Sequence, residues 1–237
     1  MTSVRRASAR KRSESAQDST YHWLKTHIAA LPRSEGTFLT EHEIATAAGT
    51  SRTPVREALL RLETEGLVQI VPKKGAFVPP ISDSDIADVM EARHLVEDWS
   101  VRRITSAHKS LTPELSALVD DLNSLVAKQE EVVEDDVAFI DLDRVFHRTI
   151  VEATGNTVLA AFYESLRDRQ VRMGMQAVAT SKDRSQRVLG EHLAIVRALR
   201  SRNTDRVAAA VRTHLDNTLG VLRTAPRTRS TPTREGA

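Results

Sequence analysis

Between Thr40 and Val78 the chain is punctuated at short, unequal intervals that few folds accommodate. Thr40, with Glu43 three residues on, forms a capping-box pattern and opens a short helix with Ile44, Ala47 and Ala48 on its buried side. Gly49-Thr50 supplies a turn. A longer helix follows from about Ser51 to Glu65. Pro54 is tolerated there only in the first turn, where its missing N–H costs little. Val55, Leu59 and Leu62 make the inner stripe, with Ala58 beside them, and Gly66 suits the left-handed position that ends a helix. Leu67–Val71 reads as a strand, Pro72-Lys73-Lys74-Gly75 as a turn, Ala76–Val78 as a returning strand and Pro79-Pro80 as a stiff link. An earlier helix from Thr20 to Leu31 carries Tyr21, Leu24 and Ile28 at helical spacing and is stopped by Pro32.

Helix, helix, turn, helix and hairpin is the order of a winged helix-turn-helix, which is expected to bind double-stranded DNA. Such a fold presents the N-terminal end of its last helix to the major groove. Here that end carries Ser51, Arg52, Thr53 and Arg56. Arginine can bond guanine O6 and N7 with two N–H groups, while hydroxyls reach phosphates or base edges. Lys73 and Lys74 at the hairpin tip suit a phosphate or the minor groove.

From Ser82 onward the periodicity is helical and no alternating strand pattern appears. About six helices are expected, packed as an antiparallel bundle, so the fold class is mainly α. Residues 20–78 form the winged domain, 79–81 a linker and 82–222 the helical domain. The flanks 1–19 and 223–237 are rich in Ser, Thr, Pro and Arg and are expected to be disordered basic segments. The first twelve residues hold five basic side chains and no acid, so the small net charge of +2 conceals an acidic middle. Cysteine is absent, which removes thiolate metal sites and disulfides. With no apolar run of membrane-spanning length, a cytoplasmic protein without a membrane partner is expected.

Four polar residues interrupt the apolar faces of the helical domain. Asp143 and His147 lie four apart among Phe139, Ile140, Phe146 and Ile150, so they project side by side. His192 shares a face with Leu189, Val196 and Leu199, and His214 with Val207, Val211 and Leu215. A buried carboxylate is costly without a partner. Three imidazoles facing it offer one, and a divalent metal would neutralise the site better. A metal that activates water would make an enzyme, but no Asp or Glu stands in a recognisable general-base position. The chain is therefore read as a binding protein, with a metal-dependent enzyme and a purely structural ion as the alternatives.

The runs LTEHEIATAAGTSRTPVREALLRLETEGLV (39–68) and PKKGAFV (72–78) closely resemble the GntR family of bacterial regulators. DRVFHRTIVEATGN (143–156), EHLAIVRAL (191–199) and the late His214 resemble the ligand-sensing FCD domain of that family's FadR-type branch. The resemblance implies DNA contacts from Arg52, Thr53 and Arg56, with the wing lysines near the groove. It also implies a divalent ion, zinc or nickel, on Asp143, His147, His192 and His214. Arg93 stands where family members carry an arginine facing the cavity, and with Asn156 it is the candidate contact for a small carboxylate effector. Family members are mostly repressors released by their ligand, and a homodimer on a palindromic operator is expected. The chain departs from the pattern twice: His42 stands where arginine is usual, a weaker phosphate ligand at neutral pH, and Arg33-Ser34-Glu35-Gly36 replaces a Pro-Gly turn.

Overall fold

The computed structural model describes residues 15–29, 31, 36–107, 112–181 and 183–224. Most of the expected basic segments, Pro32 and Arg33-Ser34-Glu35 lie outside the described residues. The N-terminal unit runs α1 (Ala16–Ala29), β1 (Thr37–Leu39), α2 (Glu41–Ala47), α3 (Arg52–Thr64), β2 (Gln69–Val71) and β3 (Gly75–Val78). Helix α1 begins four residues before the expected Thr20. Thr40 and Glu43 form the reciprocal cap: Glu43 N–H donates to Thr40 Oγ1 at 3.2 Å, and Thr40 N–H to Glu43 Oε2 at 2.9 Å. Gly66 ends the α3 turn with a φ of +71°. The apolar faces of α1, α2 and α3 close on Tyr21, Leu24, Ile44, Val55, Leu59 and Leu62.

The hairpin turns through Pro72 and Lys73, with Lys74 N–H donating to Val71 O at 3.0 Å. Lys73 takes a φ of +66°, at the third position of a turn whose second is proline. Both strands are antiparallel in a three-stranded sheet of order β1-β3-β2. Strand β1 was not expected from the sequence, because three residues are too few to show alternation. It explains Gly75, where a Cβ would lie 2.4 Å from the Leu39 carbonyl oxygen.

The C-terminal unit holds seven helices among the described residues, not six. They are α4 (Asp83–Ala107), α5 (Pro113–Glu131), α6 (Asp136–Glu152), α7 (Thr157–Ser165), α8 (Arg167–Thr180), α9 (Arg184–Ser201) and α10 (Thr204–Thr224). The additional helix comes from a break at Leu166, where Leu166 N–H turns back to Tyr163 O at 3.1 Å. No glycine or proline marks that break, so periodicity alone runs through it. Helix α4 packs along α10, α5 against α6 and α9, and α6 against α8, around a core that includes Met90, Leu122, Phe139, Phe146, Ile195 and Leu215. Among the described residues no helix is long and apolar enough to cross a membrane.

The two units meet through polar contacts. Lys25 of α1 is buried, with Nζ 3.3 Å from Asp141 Oδ1 of α6, and it donates to the Tyr21 hydroxyl at 3.3 Å. Arg172 of α8 donates to the Pro79 carbonyl at 2.8 Å. Asp168 of α8 faces Gly66, leaving 3.1 Å between its Oδ2 and the place of an added Cβ. Burial, and then the charge of Glu65, push the Asp168 carboxyl up from 3.8 to about 6. A carboxyl that holds its proton more tightly when folded favours the fold at low pH, and that advantage is lost as pH rises through about 6. Asp168→Asn is therefore expected to melt higher than wild type at pH 7.5, with the difference vanishing below pH ~4. Melting curves across that range check it, and a variant that melts lower at pH 7.5 contradicts it.

Candidate metal centre and nucleic-acid interface

At the head of α3, Ser51 occupies the N-cap position but makes no side-chain capping bond, so its hydroxyl is available to other partners. Ser51, Arg52, Thr53 and Arg56 are exposed, as are Lys73 and Lys74 on the hairpin and His42 in the first turn of α2. The structure therefore puts all seven residues on the surface of the winged unit. Arg56 is the one whose setting the sequence did not foresee: its Nε donates to both carboxylate oxygens of Glu41 at 2.8 Å. That contact across α2 and α3 fixes the direction of the guanidinium before any ligand arrives. Between α3 and the hairpin runs a cleft of about 560 Å³ walled by Arg56, Leu60, Ile70, Lys73 and Lys74.

In the helical unit, Asp143 and His147 come from α6, His192 from α9 and His214 from α10. Each offers one ligand atom, and these atoms all lie within 4.8 Å of one another. Ring centroids of the three imidazoles are 4.8 to 5.1 Å apart. Phe146 lies flat on His192, with centroids 4.0 Å apart, and fixes that ring.

Each imidazole is held by its far nitrogen. His147 Nδ1 donates to Glu97 Oε2 of α4 at 2.7 Å. His214 Nδ1 donates to Glu191 Oε2 of α9 at 2.7 Å. His192 Nδ1 donates to Gln129 Oε1 of α5 at 2.8 Å, while Gln129 Nε2 donates to the Phe139 carbonyl and so fixes which amide atom faces the ring. Acceptors at all three Nδ1 atoms put the proton there and leave the lone pair on Nε2. Nε2 of His147 and of His192 are buried without a hydrogen-bond partner, and lie 3.9 and 3.4 Å from Asp143 Oδ1. An unsatisfied buried polar atom costs about 1–3 kcal/mol. Two of them turned towards one carboxylate suit a bound cation, and the donor set of imidazole and carboxylate suits a divalent one. Burial holds both His192 and His214 below the ordinary imidazole range, which keeps them in the neutral form a metal takes.

A cavity of about 30 Å³ adjoins the cluster, lined by Arg93, Asp143, Arg184 and His214 with apolar walls such as Met173 and Val178. That is space for a water or two beside an ion. Arg93 and Glu97, four residues apart on α4, pair in the interior and not on the surface: Nε donates to Glu97 Oε1 at 2.8 Å, and both side chains are enclosed. Burial alone would raise the Glu97 carboxyl, but Arg93 and His147 outweigh it and hold it far below the usual range. Arg184 is bonded through both terminal nitrogens to Glu191 and also to Thr218 Oγ1.

Asn156 takes the helix-cap place its residue type suits, not the effector contact the resemblance suggests. It is exposed, its side chain accepts from Leu159 N–H at 3.0 Å as the cap of α7, and it does not line the cavity. A side chain that closes the first turn of a helix has its oxygen already committed. Sequence reasoning missed Gln129, Glu191 and Arg184, and it missed Glu97 as a partner of His147. Gln129 carried a signal, since it continues the α5 stripe of Leu115, Leu118, Leu122 and Val126, all buried. Glu97 carried one too, four residues beyond Arg93 on the side of α4 that holds Met90 and Val101.

Two family models match the chain: "Bacterial regulatory proteins, gntR family" over residues 16–78 and "FCD domain" over residues 88–217. A regulator of Streptomyces ambofaciens, the "Uncharacterized HTH-type transcriptional regulator in unstable DNA locus", is 32% identical over 199 residues, covering 82% of this chain and 80% of its own. The "HTH-type transcriptional repressor RspR" of Escherichia coli is 29% identical, covering 82% of this chain and 83% of its own. Among solved structures, a putative GntR regulator from Rhodococcus sp. RHA1 superposes with a TM-score of 0.60 at 22% identity, covering 89% of this chain and 99% of that one. "E. coli McbR/YncC" superposes with a TM-score of 0.58 at 23% identity, covering 87% and 94%. These two likenesses speak for the fold alone.

Proposed function

The chain belongs to the GntR family of bacterial regulators and carries an FCD domain, and from that premise we propose that it is a repressor released from a palindromic operator by a small organic acid. The matched domains and relatives are those of DNA-binding transcription regulators, not of enzymes. In this reading Ser51, Arg52, Thr53 and Arg56 meet the major groove and Lys73, Lys74 and His42 the phosphates, in a homodimer whose symmetry matches the operator. Asp143, His147, His192 and His214 hold a divalent ion, zinc or nickel, which when bound supplies open coordination positions for a carboxylate.

The observation that carries the reading is the arrangement of three histidines tied off at Nδ1, facing one aspartate beside a cavity walled by two arginines. Arg93 and Arg184 give that cavity the positive wall an anion needs, with Glu97 and Glu191 holding each guanidinium in place. A repressive sign is supported by relatives named as repressors, including the "Gluconate operon transcriptional repressor" of Bacillus licheniformis, 23% identical over 205 residues. The effector acts only through a difference in affinity for the DNA-competent and released arrangements. A second reading, a purely structural ion, is favoured by the small size of the cavity.

One experiment separates the two. DNA selected by the protein from a random pool serves as operator, and its anisotropy is followed while metal-loaded and chelator-treated protein are titrated with a panel of small mono- and dicarboxylates. An effector site predicts that one acid weakens operator binding about tenfold or more, and only when the metal is present. A metal that raises the melting temperature while no acid changes operator affinity selects the structural ion.

A further inference from the structure

The cavity beside the histidines, about 30 Å³, has room for a carboxylate group in place of its water but not for the body of an organic acid. A ligand bound there keeps most of its atoms elsewhere. Across one wall lies a pocket of about 560 Å³, between the end of α8, the head of α9 and the last turns of α10. That volume is in the range that holds a small organic molecule. Thr180, Ser181, Arg187, Asn217 and Gly220 line it, a mostly polar set. Among the described residues, Arg184 is the one that lines both spaces.

The bonds of Arg184 make the wall. Its side chain is 2% exposed. Nη1 and Nη2 donate to the two Glu191 carboxylate oxygens at 2.9 and 3.0 Å, and Nη2 donates to Thr218 Oγ1 at 2.7 Å. One guanidinium thus bridges α9 and α10 between the inner and the outer space. The bridge is exchangeable, because an incoming carboxylate offers a guanidinium the same paired oxygens as Glu191. Glu191 keeps other donors when Arg184 turns away: His214 Nδ1 at 2.7 Å and Asn217 Nδ2 at 2.8 Å. On the outer pocket, Arg187 is exposed and bonded to the Ser181 hydroxyl, with no carboxylate partner among the described residues. Asp216, the acid on that rim, faces His94 Nε2 at 3.3 Å.

We infer that the outer pocket holds the body of the effector, that the effector is a dicarboxylate, and that Arg184 is the gate. Arg184 turns from Glu191 to the entering acid, one carboxylate reaches the histidine cluster and the other meets Arg187. This rests on the effector site of the preceding reading and adds its entrance and its ligand class. Glu191 also positions His214, so the turn of Arg184 is felt in α10, which packs along α4.

The test follows the capture of zinc from the loaded full chain by dipicolinate, itself a rigid dicarboxylate that binds zinc. Capture through an entrance is first order in dipicolinate, whereas spontaneous loss of the ion is independent of it. Wild type is expected to lose zinc at a rate proportional to dipicolinate. A Cβ added at Gly220 meets nothing within 4 Å, so Gly220→Trp should fill the outer pocket and lower that slope at least tenfold, with zinc content kept. Arg184→Ala should raise the slope about tenfold. Glutarate should protect the zinc at about fivefold lower concentration than valerate, the scale of one exposed ion pair, and Arg187→Glu should erase the difference. If Arg184→Ala does not fold, the other two variants decide. A slope unchanged in Gly220→Trp, or a wild-type rate indifferent to dipicolinate, overturns the entrance and leaves the metal cluster standing. Equal protection of wild type by the two acids overturns the dicarboxylate. A wild type that takes up no zinc overturns the metal reading and the gate together.

Discussion

Protein carrying both His147→Ala and His192→Ala is expected to retain no divalent ion, where wild type purified without chelator holds about one per chain. Two of four ligands are then gone, and they are the two whose Nε2 atoms lie buried without a hydrogen-bond partner. An ion present at a thousand times its dissociation constant stabilises the native state by about 4 kcal/mol. For a chain of this size that corresponds to roughly 10 °C in melting temperature. Adding zinc or nickel to stripped wild type should therefore raise its melting point by about that much, and the double variant should not respond. Elemental analysis of both proteins, with paired melting curves, checks this. If neither protein takes up metal, the winged unit keeps its role and the histidines become core residues or direct effector contacts.

Replacing Arg52 and Arg56 together by alanine is expected to abolish specific operator binding. Each bidentate contact to a guanine discriminates by about 1–3 kcal/mol, so the pair should cost about 4 kcal/mol, close to a thousandfold in affinity. Both side chains are exposed, and the α3 core of Val55, Leu59 and Leu62 is untouched, so the fold should survive. Residual binding should be weak, salt-sensitive and indifferent to sequence. Anisotropy titrations on operator and scrambled DNA, beside circular dichroism spectra, measure both halves of the claim. Operator affinity unchanged in a folded double variant would show that α3 is not the reading helix.

Much of this architecture is legible locally. The caps at Thr40, Ser82 and Thr112, the proline in the first turn of α3 and the glycine after it are signals within four residues of the events they cause. Periodicity likewise marks which side of a helix turns inward, and so picks out Asp143, His147, His192 and His214 as polar groups on buried faces. Where the signal was short or silent the reading fell short. Strand β1 has three residues, and the break at Leu166 has no glycine or proline.

What the sequence by itself determined is the identity and facing of individual side chains, because helix geometry is set by neighbours one turn away. Tertiary structure alone decided their company. It brought α6, α9 and α10 to one point, supplied Glu97, Gln129 and Glu191 to fix the imidazoles, and tied Arg56 to Glu41. Those partners stand 15 to 63 residues apart in the chain where they form pairs. Periodicity along one helix says that a polar group faces inward, but the group that answers it comes from another helix, and packing makes that choice.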